Sequence, residues 1–135
     1  MSNVDAAPEV KLEAKGINPS FTVNDLQKSL AFYVDGLGFE IERQGERDGK
    51  VVFAMLKAGN ARLGIGQDDF AKGRDRSKGV GIRSWIYTEQ DLNALAERAK
   101  RAGIKLDYEP QKLPHGAFAF GFTDPDGFMF TVTNG

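Results

Sequence analysis

Cysteine is missing from this 135-residue chain, and histidine occurs only once, as His115. The first absence removes disulfides, thiolate nucleophiles and cysteine-type zinc sites together. The second leaves a single imidazole, which cannot build an ordinary metal centre. A prevailing sign of charge is missing too, since 18 Lys and Arg stand against 19 Asp and Glu spread along the whole length. No basic stripe awaits phosphates and no polybasic run awaits a membrane surface, so neither nucleic acid nor a bilayer is an expected partner. Long apolar runs are also absent, and the polar, charged opening MSNVDAAPEVKLEAKG has no signal-peptide character. A cytoplasmic location is the default expectation. What is present, 41% hydrophobic and 27% charged residues, suits one compact domain with a real core.

Residues 1–15 lack clear periodicity and read as a flexible N-terminal tail, leaving 16–135 as a single domain. Ile17 to Val23 alternates as a half-buried strand does. Asn24-Asp25 then supplies N-cap chemistry for a helix, DLQKSLAFYVDG, in which Leu26, Leu30 and Tyr33 form a stripe widened by Phe32. Strands are predicted at 39–43, 51–56 and 61–65, separated by the polar turn QGERDGK and by Ala58-Gly59-Asn60. A first module, 16–66, thus spells strand, helix, strand, strand, strand. Residues 67–79 are polar and glycine-containing, a linker or a short surface helix. The same order then returns over 80–135, with strands at 82–88, 105–109, 117–123 and 128–133 and a helix at 90–102. The repeat lies in the pattern of elements, at a period of about sixty residues, longer than that of a solenoid.

Two stretches, TVNDLQKSLAFYVDGLGFEI in the first module and FGFTDPDGFMFTV in the second, resemble the vicinal oxygen chelate superfamily, the glyoxalase, bleomycin-resistance and dioxygenase fold. The first is similar to the family's strand, helix and "LGF" entry, the second to its closing hairpin with an Asp-Pro-Asp-Gly turn. The resemblance covers about residues 16–134. It implies an α+β fold in which two βαβββ modules curl into an incomplete barrel around a cleft, and it implies a homodimer. Whether the two walls of one cleft come from one chain or from two is left open, because a linker of this length spans either arrangement.

The resemblance also implies four metal-ligand positions, each carried over by its place in the motif. The first, five residues before the valine that ends the opening strand, is Asn18. The second, in the fourth strand, is Gly64. The third is Arg83 if Thr88 ends the fifth strand, and otherwise falls near Ile82. The fourth, shortly after the Asp-Pro-Asp-Gly turn, is Thr131. Imidazole and carboxylate donors are what such a centre needs, so no metal cofactor is expected.

Alternation describes the cleft that remains. Arg83, Trp85 and Tyr87 share one face of the fifth strand, where flat rings and a guanidinium would grip a planar or acidic molecule, although Trp85 could equally be core. In the seventh strand Phe118, Phe120 and Phe122 should pack under a helix, while the bare face of Ala117, Ala119 and Gly121 should line the cleft and leave volume there. Phe53, Met55, Arg62, Met129, Thr131, Asn18 and Ser20 complete the expected ligand-binding set. His115 reads as a surface-loop residue or, less simply, as an acid or base. The expected function is a metal-independent small-molecule binding protein that sequesters a bulky, partly aromatic ligand in a dimer cleft. The alternative is a glyoxalase- or dioxygenase-like enzyme, with a divalent metal or a metal-free acid/base site.

Overall fold

Alternating residues build the first sheet. In β1 (Ser20–Val23), Phe21 and Val23 are buried while Ser20 and Thr22 are exposed. The computed structural model describes residues 10–135. Most of the expected tail, residues 1–9, therefore lies outside the described residues, and 10–15 are exposed and form neither strand nor helix. Strand β1 starts later than the alternation suggests. Ile17 is 94% exposed and has nothing to pack on, so the lead-in through Asn18 stays irregular.

Asp25 caps α1 (Leu26–Leu30) by accepting from the Lys28 amide at 3.1 Å. The helix then widens into a π-helical segment (Ala31–Gly36), which ends where the Phe39 amide reaches back to the Tyr33 carbonyl at 3.0 Å. Strands β2 (Glu40–Arg47), β3 (Lys50–Ala58) and β4 (Ala61–Gln67) complete the module. The seven-residue turn expected between β2 and β3 shrinks to two residues. Asp48 and Gly49 both adopt positive φ, the geometry that matches a tight hairpin to strand twist, so pairing runs to Arg47 opposite Lys50.

The second module repeats the plan with β5 (Arg83–Tyr87), α2 (Leu92–Arg101), β6 (Leu106–Lys112), β7 (Phe118–Thr123) and β8 (Met129–Thr133). The sheets run β1-β4-β3-β2 and β5-β8-β7-β6, each with one parallel pair (β1 with β4, β5 with β8) and otherwise antiparallel. Both sheets are open, and the architecture is α+β with two βαβββ modules.

One core serves both modules. Phe21 stacks on Phe128 at 4.0 Å between ring centroids, and Phe122 stacks on Phe130 at 5.0 Å. Tyr33 of the π-helical segment packs edge-on against Phe130, and that segment also touches α2. Each fully buried aromatic of this kind contributes about 1.5–3 kcal/mol through removal from water. Tyr33 also donates to Asp124 Oδ2 at 2.7 Å, tying the first module to the Asp-Pro-Asp-Gly turn of the second. Asp124 is only 4% exposed, and its other oxygen accepts from the Asp126 and Phe128 amides, both at 2.9 Å.

The polar stretch after β4 is neither a helix nor a loose linker. Asp68 Oδ2 accepts from Arg76 and from Lys78, each at 2.9 Å, and Oδ1 accepts from the Phe70 amide. Lys78 also reaches Asn24 Oδ1 at 2.7 Å, so the stretch is strapped onto the end of β1. These donors hold the Asp68 carboxyl far below the usual carboxylate range, the Lys78 hydrogen bond most of all.

Candidate functional site

Away from the shared core, each sheet presents a second face. On the first sheet, Ser20 pairs with Gly64 and Met55 pairs with the same glycine from the other side. A side chain at Gly64 would begin 3.2 Å from Ser20 Oγ, 3.4 Å from Phe53 Cε1 and 3.6 Å from Met55 Cε. Ser20, Phe53, Met55 and Gly64 therefore form one patch. Arg62 turns aside to Glu42 at 2.8 Å. With Asn18, Trp85 and Tyr87 it lines a pocket of about 380 Å³ where the lead-in to β1 and the start of β4 meet β5.

On the second sheet Arg83 pairs with Met129 and Trp85 with Thr131 in the parallel β5–β8 ladder. Arg83 Nη1 donates to Thr131 Oγ1 at 3.3 Å, and Nη2 lies 3.7 Å from Met129 Sδ. Tyr108, from β6, shares a 3.1 Å hydrogen bond with the hydroxyl of the same buried Thr131. A pocket of about 430 Å³ opens over this group, lined by Arg83, Trp85, Tyr108, Gln111, His115 and Thr131 with Leu113 and Pro114. His115 closes one side, its ring centroid 6.4 Å from that of Trp85. Among the described residues its imidazole has no hydrogen-bond partner, so nothing orients it as an acid or base.

The expected residues thus fall into three groups. Arg83, Trp85, Thr131 and Met129 meet on the second sheet; Ser20, Phe53 and Met55 meet on the first; Asn18, Arg62 and Tyr87 flank the junction. Trp85 links two of them, lining both the second-sheet pocket and the junction. It is 43% exposed and is not a core residue.

The bare face of β7 does not leave the expected volume. Ala119 is fully buried, and the Tyr108 ring lies directly over Gly121, so close that a β-carbon there would overlap Cε1. Phe120 and Phe122 are core as expected, but Phe118, at the strand end, is 49% exposed. Tyr108, Gln111, Leu113 and Pro114 escaped the sequence reading. The signal for Tyr108 was Gly121 itself, since a glycine inside a strand marks close approach from a neighbour.

A match to a family model, described as Glyoxalase/Bleomycin resistance protein/Dioxygenase superfamily, spans residues 17–132. The chain belongs to this superfamily. Its fold is shared with a member of the superfamily from Sphaerobacter thermophilus DSM 20745, at 25% identity and a TM-score of 0.68 over 90% of this chain and 97% of that one. TioX from Micromonospora sp. ML1 is similar at 16% identity and a TM-score of 0.68, over 89% of this chain and 98% of its own. A glyoxalase-related enzyme from Fulvimarina pelagi gives 18% identity and 0.67, over 89% and 88%. No curated protein matches the chain.

Superfamily membership raises the question of a metal, and the residues do not fit one. The four positions that the resemblance implies hold a carboxamide (Asn18), a hydrogen (Gly64), a guanidinium (Arg83) or an alkyl chain (Ile82), and a hydroxyl (Thr131). Among the described residues no group of three or more His, Asp or Glu side chains converges as ligands would. For the third position, β5 ends at Tyr87, so the count from the strand end gives Ile82, while Arg83 is the residue that hydrogen-bonds to Thr131. A cation there repels an added cation instead of coordinating it. Asn18 lies at the junction pocket, away from the patch around Gly64, and the second-sheet pocket is lined by the second module alone.

Proposed function

We propose that this superfamily member is a metal-independent binding protein that sequesters a bulky, partly aromatic small molecule. The observation that carries the reading is the Arg83–Thr131 pair, a hydrogen-bonded cation and hydroxyl beside the exposed Trp85, where the resemblance implies metal ligands. A flat apolar ring with polar donors at its edge suits an aromatic ligand and supplies no electrophile.

The cleft is completed by a second copy of the chain. Each sheet turns one face to the shared core and leaves the other uncovered, so the patch around Gly64 and the pocket around Trp85 each form one wall. A homodimer that lays the first module of one chain over the second module of its partner supplies both walls. A closed, isologous pair satisfies both exposed faces at once. Membrane insertion has no support in the helices, since none among the described residues is long and apolar enough to cross a bilayer.

Two measurements test the proposal together. Calorimetry with zinc, nickel, manganese and iron(II) should show no stoichiometric site tighter than micromolar. A thermal-shift screen of aromatic antibiotics and glutathione conjugates should find a stabilising ligand, because binding to the native state alone raises the melting temperature by mass action. Stoichiometric metal in the cleft, or a monomer by light scattering at micromolar concentration, would refute the respective part.

A further inference from the structure

The second-sheet pocket carries more hydrogen-bond donors than it can use. Thr131 Oγ1 sits between Arg83 Nη1 at 3.3 Å and the Tyr108 hydroxyl at 3.1 Å. Two hydroxyls share one hydrogen bond there. Whichever of them donates, one O–H is left over, and among the described residues no acceptor takes it. Arg83 brings five N–H donors and uses two, one of them on a thioether sulfur, a weak acceptor. Like most Lys and Arg of the chain it has no salt-bridge partner among the described residues, and it is exposed to the pocket.

Acceptors are correspondingly scarce around it. The lining contains no Asp or Glu, although the chain as a whole carries 19. Gln111 and His115 add side chains that can donate or accept, and Trp85 with Tyr108 provides flat aromatic surface. A guanidinium fork matches a planar oxyanion in a way a neutral amide does not.

We infer that this pocket selects an aromatic carboxylate, its ring against Trp85 and His115 and its oxyanion on Arg83 with the spare hydroxyl proton of the Tyr108–Thr131 pair. The inference rests on the binding reading above and sharpens it to a charge and a position. The covering wall proposed there strengthens it. Excluding water from Arg83 would leave an unpaired cation in a low-dielectric site, and a ligand anion removes that cost.

The probes are 2-naphthoate and 2-naphthamide, equal in ring and differing in charge. Titration is followed by the fluorescence of Trp85, the one tryptophan of the chain. Naphthoate should bind at least tenfold tighter than the amide, and the preference should weaken with added salt. Arg83→Gln should bring the two to within twofold of each other, chiefly by weakening naphthoate. Arg83→Lys, which keeps the charge but not the fork, should retain part of the preference and guards against loss of fold. Equal binding by the wild type, or a preference that survives Arg83→Gln, overturns the inference while leaving an aromatic binding site standing. Failure of both probes to bind at millimolar concentration overturns it as well, and the ligand screen then decides the broader reading separately.

Discussion

Replacing Gly121 by alanine adds one methyl group and should disable the wall of the site. Gly121 lies in β7 opposite Thr131 of β8 and under the Tyr108 ring of β6. The added carbon would overlap Tyr108 Cε1 and stand 2.9 Å from Cδ1 and Cζ, well inside van der Waals contact. Backbone on both sides is fixed by the β6–β7 and β7–β8 ladders, so the ring is the part that moves. Overpacking of this size costs about 1–3 kcal/mol. Displacing the phenol also breaks its 3.1 Å bond to Thr131, worth about 1 kcal/mol net. Alanine returns roughly 0.5–1 kcal/mol by restricting the unfolded chain and suiting a strand better than glycine.

The sum is a destabilisation of about 1–3.5 kcal/mol, read as a lowered urea midpoint at unchanged slope. A double-mutant cycle separates this mechanism from a generic strand effect. Tyr108→Ala alone removes the ring and leaves a hollow. In the double variant the new methyl occupies that hollow, so the two costs should fall short of additivity by at least 1 kcal/mol. Additive costs, or a Gly121→Ala protein as stable as the wild type, would refute the claim that the ring over Gly121 shapes the pocket.

Tyr33→Phe should cost about 1.5–3 kcal/mol by urea unfolding, the usual worth of a buried hydrogen bond to a charged group, and a loss below 0.5 would show that the Tyr33–Asp124 bond is not a tie between modules. Its pH dependence has a definite sign. Burial raises the Asp124 carboxyl above the ordinary aspartate value while the Tyr33 hydrogen bond opposes that rise, so the folded protein binds this proton more tightly than the unfolded chain and ionisation costs stability as pH climbs through the raised value. The Tyr33→Phe deficit should therefore shrink as pH falls through that window. Asp68 behaves oppositely, because Lys78, the Phe70 amide and Arg76 lower its carboxyl. Its contribution is present above the ordinary aspartate range and is lost as pH falls toward the folded value. Asp68→Asn should flatten the acid limb of the stability profile, and an unchanged limb would exclude the strap as its source.

Much of the fold was legible because it depends on short-range rules. Period-two alternation marked β1, β5 and β7, and the cap expected at Asn24-Asp25 forms at Asp25. Boundaries failed where tertiary contacts override local signals. The polar run after Gln44 looked like a turn, yet Gly45 and Glu46 stay paired with β3 through a register shift because the chain reverses only at Asp48-Gly49. The stretch after β4 looked like a linker because its charges suggested solvent. Their partners, Asp68 with Arg76 and Lys78, are eight and ten residues apart, a spacing that corresponds to no regular element.

The site was legible only along single strands. Alternation placed Arg83, Trp85 and Tyr87 on one face, and counting from the turn placed Thr131, because both readings stay within one run of chain. Tyr108 was invisible for the opposite reason. Its position depends on which residue of β6 lies over Gly121, and β6–β7 pairing shifts register twice between Leu106 and Gln111. No count along the chain anticipates such a bulge. The irregularity has a chemical consequence. It brings a phenol to a hydroxyl that already accepts from a guanidinium, and so turns a position expected to hold a metal ligand into a cluster with protons to spare. Any other chain of this fold with an Arg–Thr pair at these places on β5 and β8, and an aromatic residue over a β7 glycine, should show the same preference for an anionic over a neutral aromatic ligand.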